Sequence, residues 1–462
     1  MGFVLSVLYF VTSYLTPPVL FGPLAAYRVE LILAALIFLI SLPRLAKSII
    51  LKTLQSMAVF GLAFAGSLSV FFEMHYITGA IQTFPAFLPC AFAYFLVCLF
   101  CNSIKKIKII VLMLLFVCLF VIAHGSIDLV RGVPLTATSD SFNPNLWDLQ
   151  HPYLWASLNV TGEFLYRLRG LGLINDPNDF GQLVVCVIPL LFIFWRPKKT
   201  FRNMVYVVLP VCALLIGVFL THSRGALLAL IAIMIVSARR RIGTLPALLI
   251  AAGVFVAAIS LNFTGGRDIS ASAGADRTIL WGEGLQMLKS HPLFGVGLGS
   301  FAAFCDCGHT AHNSLVVCAA ELGLFGLFFW CMFLFCTMRD ALAVSSPAKV
   351  SEADPAIPEE ALISPGMSRI EAVDKAEINR LGRLLVLSFT GFLVAGWFLS
   401  RAYVMTFFLL GGMVEVVYEI ALRQGMIAPR PRMGRVLPYV VGLEVSLVLL
   451  MYIMLRTMSL MR

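Results

Sequence analysis

Long apolar blocks alternate with short polar ones along almost the whole chain. A helix that crosses a bilayer needs about 20 mostly apolar residues. Blocks of that kind lie near 3–16, 29–43, 55–74, 79–101, 108–125, 180–195, 204–221, 225–238, 244–262, 313–338, 383–400, 402–422 and 436–456. The pattern predicts an all-α polytopic membrane protein with about 12 or 13 transmembrane helices. The first block is short and ends at Pro17 and Pro18, which break a helix. The stretch "MSRIEAVDKAEINRLGRLL" sets Ile370, Val373, Ile378 and Leu381 at near-helical spacing among charges, which predicts an interfacial helix.

The polar blocks differ in charge. "RLAKSIILK", "KKIK", "RPKKTFR", "ARRR", the segment 339–383 and "RQGMIAPRPRMGR" hold 23 of the 34 basic residues, and every one falls on the same side of the membrane. Lys and Arg are retained in the cytoplasm, so that side is expected to be the inner one. The chain then divides into N-terminal spans (1–125), a periplasmic segment (126–179), central spans (180–262), a periplasmic loop expected to carry the chemistry (263–312), one span (313–338), a cytoplasmic linker with an amphipathic helix (339–382) and C-terminal spans (383–462). Within the linker, 345–366 is rich in Pro, Ser and acid and reads as disordered.

Composition removes the soluble classes. The chain is 60% hydrophobic and 13% charged, with mean hydropathy +0.94, whereas a soluble domain carries about a quarter charged residues. The formal net charge of +10 comes without a basic stripe interleaved with aromatics, so no nucleic-acid partner is expected. No Lys or Arg precedes Arg28, so the first block reads as a retained membrane segment rather than a secretory signal. Nine of the eleven cysteines lie in or beside apolar runs as small hydrophobes; Cys305 and Cys307 fall in a polar loop.

Charge kept at a span end needs a reason. On the outer side Arg224 opens an apolar run in "THSRGALLALIAIMIV", and Arg277 opens an amphipathic helix in "GADRTILWGEGLQMLKSHP". Guanidinium forks onto phosphate oxygens through two parallel hydrogen bonds, so two such groups suit a diphosphate. The competing account has each arginine snorkelling to lipid phosphates or capping a helix. Arg167 and Arg169 in "GEFLYRLRGLGLINDPNDFGQ" are two further outer cations and candidate contacts of the same diphosphate, followed by a helix start with Asn178 or Asp179 near the cap. "GVGLGS" lacks the Lys-Ser/Thr of a phosphate-binding loop and reads as a flexible turn near the membrane surface.

"CDCGHTAH" offers Cys305, Cys307, His309 and His312 within eight residues. Structural zinc sites separate two ligand pairs by a longer loop, so the spacing suits zinc poorly and no metal is expected. A Cys305–Cys307 disulfide would close a strained ring. The third reading gives a role to His312 alone, as a general base at the mouth of the span beginning "HNSLVVCAAELGLFGLFFW".

Taken in order, "SRGALLAL", "DRTILWGEGLQMLKSHPLFGVGLGSF" and "HNSLVVCAAELGLFGL" resemble the core pattern of the O-antigen ligase and polymerase superfamily, over roughly residues 165–340. "CDCG" is not part of that pattern. The resemblance implies a lipid-glycan glycosyltransferase fold of the GT-C type in the bacterial inner membrane, with its site facing the periplasm and no cofactor. It implies that Arg224 and Arg277 contact the diphosphate of an undecaprenyl-diphosphate-linked glycan and that His312 is the base for the acceptor hydroxyl. The acceptor would be a lipid A–core sugar in a ligase, a second lipid-linked repeat in a polymerase, or a protein hydroxyl in an O-oligosaccharyltransferase. A rival from another class is a transporter or flippase for lipid-linked glycan. Such proteins show paired repeats and mid-span charges, and the sequence shows neither.

Overall fold

The structure is a computed structural model. It describes residues 1–48, 50–131, 147–148, 150–158, 162–265, 271–346 and 375–460. The helices are α1 (Gly2–Leu15), α2 (Val29–Lys47), α3 (Leu54–Met74), α4 (Ile77–Phe100), α5 (Ile104–Val130), α6 (Pro177–Leu190), α7 (Leu209–Thr221), α8 (Arg224–Ile242), α9 (Thr244–Ser260), α10 (Ala271–Ser290), α11 (Ser314–Ser345), α12 (Lys375–Gly396), α13 (Met405–Arg423) and α14 (Met433–Leu460). Each apolar block of the sequence lies on one of them, and the chain is an all-α polytopic membrane protein.

Among the described residues ten helices are long and apolar enough to cross a membrane, fewer than the 12 or 13 spans expected. Two of the remaining blocks, on α1 and α9, form apolar helices of 14 and 17 residues. At about 1.5 Å per residue these fall short of a hydrocarbon core about 30 Å thick. The third, on α8, ends in Arg239, Arg240 and Arg241, which shorten its apolar part. The linker read at 345–366 lies outside the described residues beyond Ser346. Ile370 and Val373 lie outside them too. Ile378 and Leu381 are fully buried within α12, so they belong to the long helix itself rather than to an interfacial one.

Two compact units divide the chain. The first comprises 1–39, 104–269 and 387–395. Its additional element is an antiparallel pair, β1 (Leu154–Leu158) and β2 (Phe164–Leu168), with Leu154 opposite Leu168. Trp147 anchors the pair. Its indole donates to the Leu154 carbonyl at 3.2 Å and stacks on Tyr166 at 5.2 Å between centroids. The cap of α6 is Asp176, whose side chain accepts the Asn178 N–H, and not Asn178 or Asp179; Pro177 takes the first helical position, which has no use for an N–H.

The second unit comprises 40–103, 270–386 and 396–462. Every residue of α13 from Met405 to Leu422 is buried, and it packs against α4 and α11. Glycine makes the close approach possible: a Cβ at Gly412 would press on the Tyr94 carbonyl of α4. Near the C-terminal end of α11, Asp340 accepts from Gln55, Arg339 and Arg430, and Arg430 also pairs with Glu415 at 2.9 Å. These contacts join α3, α11, α13 and the segment after α13. A charge buried in this way is retained because it is paired.

The span α11 is broken. Gly323 has φ 63° and ψ −166° inside it. In an unbroken helix the N–H groups of Leu324 and Phe325 would bond to the carbonyls of Ala320 and Glu321. Instead Leu324 and Phe325 donate to the carbonyls of Pro292 and Leu293, at 2.8 and 3.1 Å. Val296 and Gly297 donate to the carbonyls of Ala320 and Glu321, at 2.9 and 3.1 Å. The segment 292–297 thus exchanges two helical hydrogen bonds for four tertiary ones, which supplies partners for the backbone groups freed at Ala320, Glu321, Leu324 and Phe325.

The conformation of Gly323 is open essentially to glycine alone, and a Cβ there would meet the Leu293 carbonyl. Gly323→Ala is expected to lower stability by about 1–3 kcal/mol or more, read as an earlier thermal unfolding of the detergent-solubilised chain; an unchanged transition would refute the account of the break.

Candidate functional site

In the second unit the site is built on α10, the 301–313 loop and the turn "WFLSR" at 397–401. Arg277 lies half-buried near the start of α10, with its guanidinium 5.8 Å from the ring centroid of Phe398. One turn on, Trp281 is buried; its indole N–H donates to the Ala311 carbonyl at 2.8 Å, and its ring meets Trp397 edge-on. Ala311 immediately precedes His312. The His312 N–H donates to Ser400 Oγ at 2.7 Å, and Ser400 Oγ donates to Thr310 Oγ1 at 2.9 Å. Ser314 Oγ donates to the Leu399 carbonyl at 2.7 Å. Five residues in a row therefore hold both the arginine helix and the histidine loop.

Local chemistry explains why His312 stands out. Asn313 is the N-cap of α11, and its buried Oδ1 accepts the N–H groups of Leu315 and Val316. The residue before it takes the left-handed conformation, φ 49°, and the His312 side chain is exposed. A cap that fixes the helix start and a turn that lifts the preceding residue present an imidazole to solvent on a rigid base.

"GVGLGS" supplies the other support. It is a pinned segment rather than a flexible turn. Besides the bonds at the α11 break, Leu298 donates to Ser69 Oγ at 3.0 Å, and the Phe301 N–H points at Glu321 Oε1 from 3.4 Å. A Cβ at Gly295 would collide with the backbone of Ala320 and Glu321. Glu321, buried in "AAELGLFG", was the missed signal: an acid beside a glycine in an apolar run.

Arg224 belongs to the first unit. α7 ends at His222, left-handed at φ 48°, whose Nδ1–H donates to the Phe263 carbonyl at 2.7 Å. Ser223 caps α8 by accepting the Ala226 N–H, which leaves Arg224 half-buried at the first helical position. The helix dipole at that end favours an anion.

Arg167 on β2 and Arg169 just after it, read from the sequence as outer cations, are buried and engaged inside the first unit. Arg167 donates through Nε to the Thr221 carbonyl at 2.9 Å and through a terminal nitrogen to Asn178 Oδ1 at 3.0 Å. It thereby ties β2 to the end of α7 and the start of α6, beside the turn that carries Arg224. Arg169 donates to the Pro152 carbonyl and pairs with Asp148 at 2.6 Å, below the ring of Trp155.

The four residues of "CDCGHTAH" do not gather as one set. Cys305 and Cys307 approach each other, and Glu283 of α10 joins them; neither His309 nor His312 belongs to that cluster. Burial, helped by hydrogen bonds with Cys307 and Glu283, pushes the Cys305 thiol up to about 11.

Residues 209–331 match the family model described as O-antigen ligase. The matched stretch contains Arg224, Arg277 and His312, and it ends before the 397–401 turn. No curated protein matches the chain.

Trp281→Phe keeps an aromatic ring, though a smaller one, and removes the bond to Ala311. The net loss is expected to be about 1 kcal/mol, seen as faster hydrogen exchange in peptides covering 305–313 while those within α11 stay protected. Equal exchange in both variant and parent would show that the indole does not hold the loop.

Proposed function

We propose, from the match of residues 209–331 to the O-antigen ligase family model, that this chain transfers a glycan from undecaprenyl diphosphate to an acceptor hydroxyl at the periplasmic face of the inner membrane. The acceptor assigned is a sugar of the lipid A–core. The observation that carries the reading is the convergence of Arg277 and His312 on one five-residue turn, through Phe398 and Ser400.

The chemistry follows from the groups. Arg277 and Arg224 take the diphosphate oxygens of the donor, each able to fork onto two of them. The acceptor oxygen attacks the anomeric carbon. The bond from that carbon to the diphosphate oxygen breaks, and its electrons leave with undecaprenyl diphosphate. The acceptor proton passes to His312, whose exposed ring meets the hydroxyl. Negative charge grows on the diphosphate as the bond breaks, and the guanidinium groups that hold it stabilise it most at that moment. They supply the charge neutralisation that a metal ion gives in other phosphate sites. Arg167, whose Nε and one terminal nitrogen serve Thr221 and Asn178, is assigned to positioning the Arg224 turn, and Arg169 to the hairpin beneath it.

Arg224→Ala, Arg277→Ala and His312→Ala are each expected to cut transfer by about 100-fold or more while the chain still inserts and folds. The arginine variants should also lose affinity for undecaprenyl diphosphate, whereas His312→Ala should retain it. Lysine at 224 or 277 should restore part of the activity only, because a point charge lacks the fork. Near-parental turnover in any alanine variant removes that residue from the mechanism, and lipid-linked glycan movement without transfer by the purified chain would favour a flippase. Sidedness is tested in a chain stripped of other cysteines: an impermeant thiol reagent applied from the periplasm should label Cys307 and spare Thr200→Cys. The reverse labelling would sink the mechanism as written.

A further inference from the structure

A cluster outside the transfer machinery lies where α10 meets the turn after Phe304. One carboxylate oxygen of Glu283 and the sulfurs of Cys305 and Cys307 all lie within 4.8 Å of one another. The two sulfurs are 2.8 Å apart, and Glu283 Oε2 also accepts the Asp306 N–H at 3.2 Å. Cys305 is buried, Glu283 half-buried and Cys307 exposed, so the cluster has an inner wall and an open side. We infer that this cluster is a zinc site, with Glu283, Cys305 and Cys307 as the three protein ligands and water in the fourth position.

The donor set selects the ion. Thiolate sulfur binds zinc at about 2.3 Å and carboxylate oxygen at about 2.0–2.2 Å in a tetrahedron. Magnesium and calcium take oxygen ligands throughout and have no use for two sulfurs. Three acidic groups this close repel one another unless protons or a cation lie between them. Zinc binds thiolate and carboxylate and displaces their protons, so its affinity must rise with pH. Tetrahedral geometry sets two bound sulfurs about 3.7 Å apart, and rotation of the exposed Cys307 side chain supplies the opening.

The consequence is mechanical. An ion held from both sides would tie α10 to the loop three residues ahead of Thr310, reinforcing the Trp281–Ala311 and Ser400 contacts. The inference does not depend on the transfer reaction. The competing fate of the same atoms is a Cys305–Cys307 disulfide, which would exclude the ion.

The test uses the full chain in detergent under a phosphine reductant, equilibrated with zinc sulfate and desalted. Mass spectrometry of the metal should find about one zinc ion per chain held by this set, absent from Cys305→Ser and Cys307→Ser. Glu283→Gln should weaken binding by about tenfold or more, and affinity should climb between about pH 6 and about pH 8. Thermal unfolding without zinc should be the same for Cys307→Ser and the parent, which separates ligand loss from misfolding. Equal zinc in Cys307→Ser and parent overturns the site. So does a complete Cys305–Cys307 disulfide in membranes isolated with thiols blocked.

Discussion

A membrane span with a broken hydrogen-bond ladder has to find partners for the freed groups inside the protein, because hydrocarbon offers none. In this chain the break at Gly323 of α11 is answered by 292–297, and the answer fixes the path of everything between α10 and α11. Once Val296 and Gly297 are bonded to Ala320 and Glu321, the loop must climb from that level of α11 to its first residue, Ser314. His312 sits at the top of that climb. The Asn313 cap and the Ser400 hydroxyl then hold it there. A helix interruption that looks like a defect in a span is the footing of the histidine loop.

The same rule sorts the arginines. A guanidinium near a membrane is retained when its donors are used. Arg430 uses them on Asp340 and Glu415 and joins helices. Arg167 and Arg169 use them on backbone carbonyls, an amide and a carboxylate, and join a hairpin to helix ends. Arg224 and Arg277 differ in setting: one opens a capped helix, and the other lies over an aromatic ring beside the histidine loop. Five arginines thus differ in what surrounds them, which no property of arginine itself decides.

Two short polar turns, 305–313 and 397–401, carry most of the specific contacts of the second unit's site. They are 84 residues apart at their nearest ends, yet Ser400 bonds to both Thr310 and His312, and Ser314 bonds to both Leu399 and Arg401. Hydroxyls suit this work because one Ser side chain both donates and accepts, so a single small residue can pin two backbones at once. Trp281 adds the third strut, and its companion Trp397 lies in the second turn.

Much of this protein was legible in the chain itself. Long apolar blocks can only be buried or span lipid, so hydropathy located the apolar helices and the all-α class, while α10 was read from its amphipathic spacing. Charge sparseness at span ends drew attention to Arg224, Arg277 and His312, and the stretch that carries them matches the family model. Other features depended on distance in space. The β1–β2 pair is ten residues in a membrane chain, too short for periodicity to separate from loop. "GVGLGS" read as loose because glycine is loose by itself; its rigidity comes from Glu321 and the broken helix. Glu283 carries no signal in the sequence, and only folding sets it against Cys305 and Cys307. Ser400 carried no signal, since a serine at a span end is ordinary. Sequence determined which residues are costly to place and therefore where helices and stray charges fall, because burial energy is a local property of composition. Tertiary structure decided which of those charges are tied into the scaffold, because hydrogen-bond partners far apart in sequence become neighbours only when the helices pack.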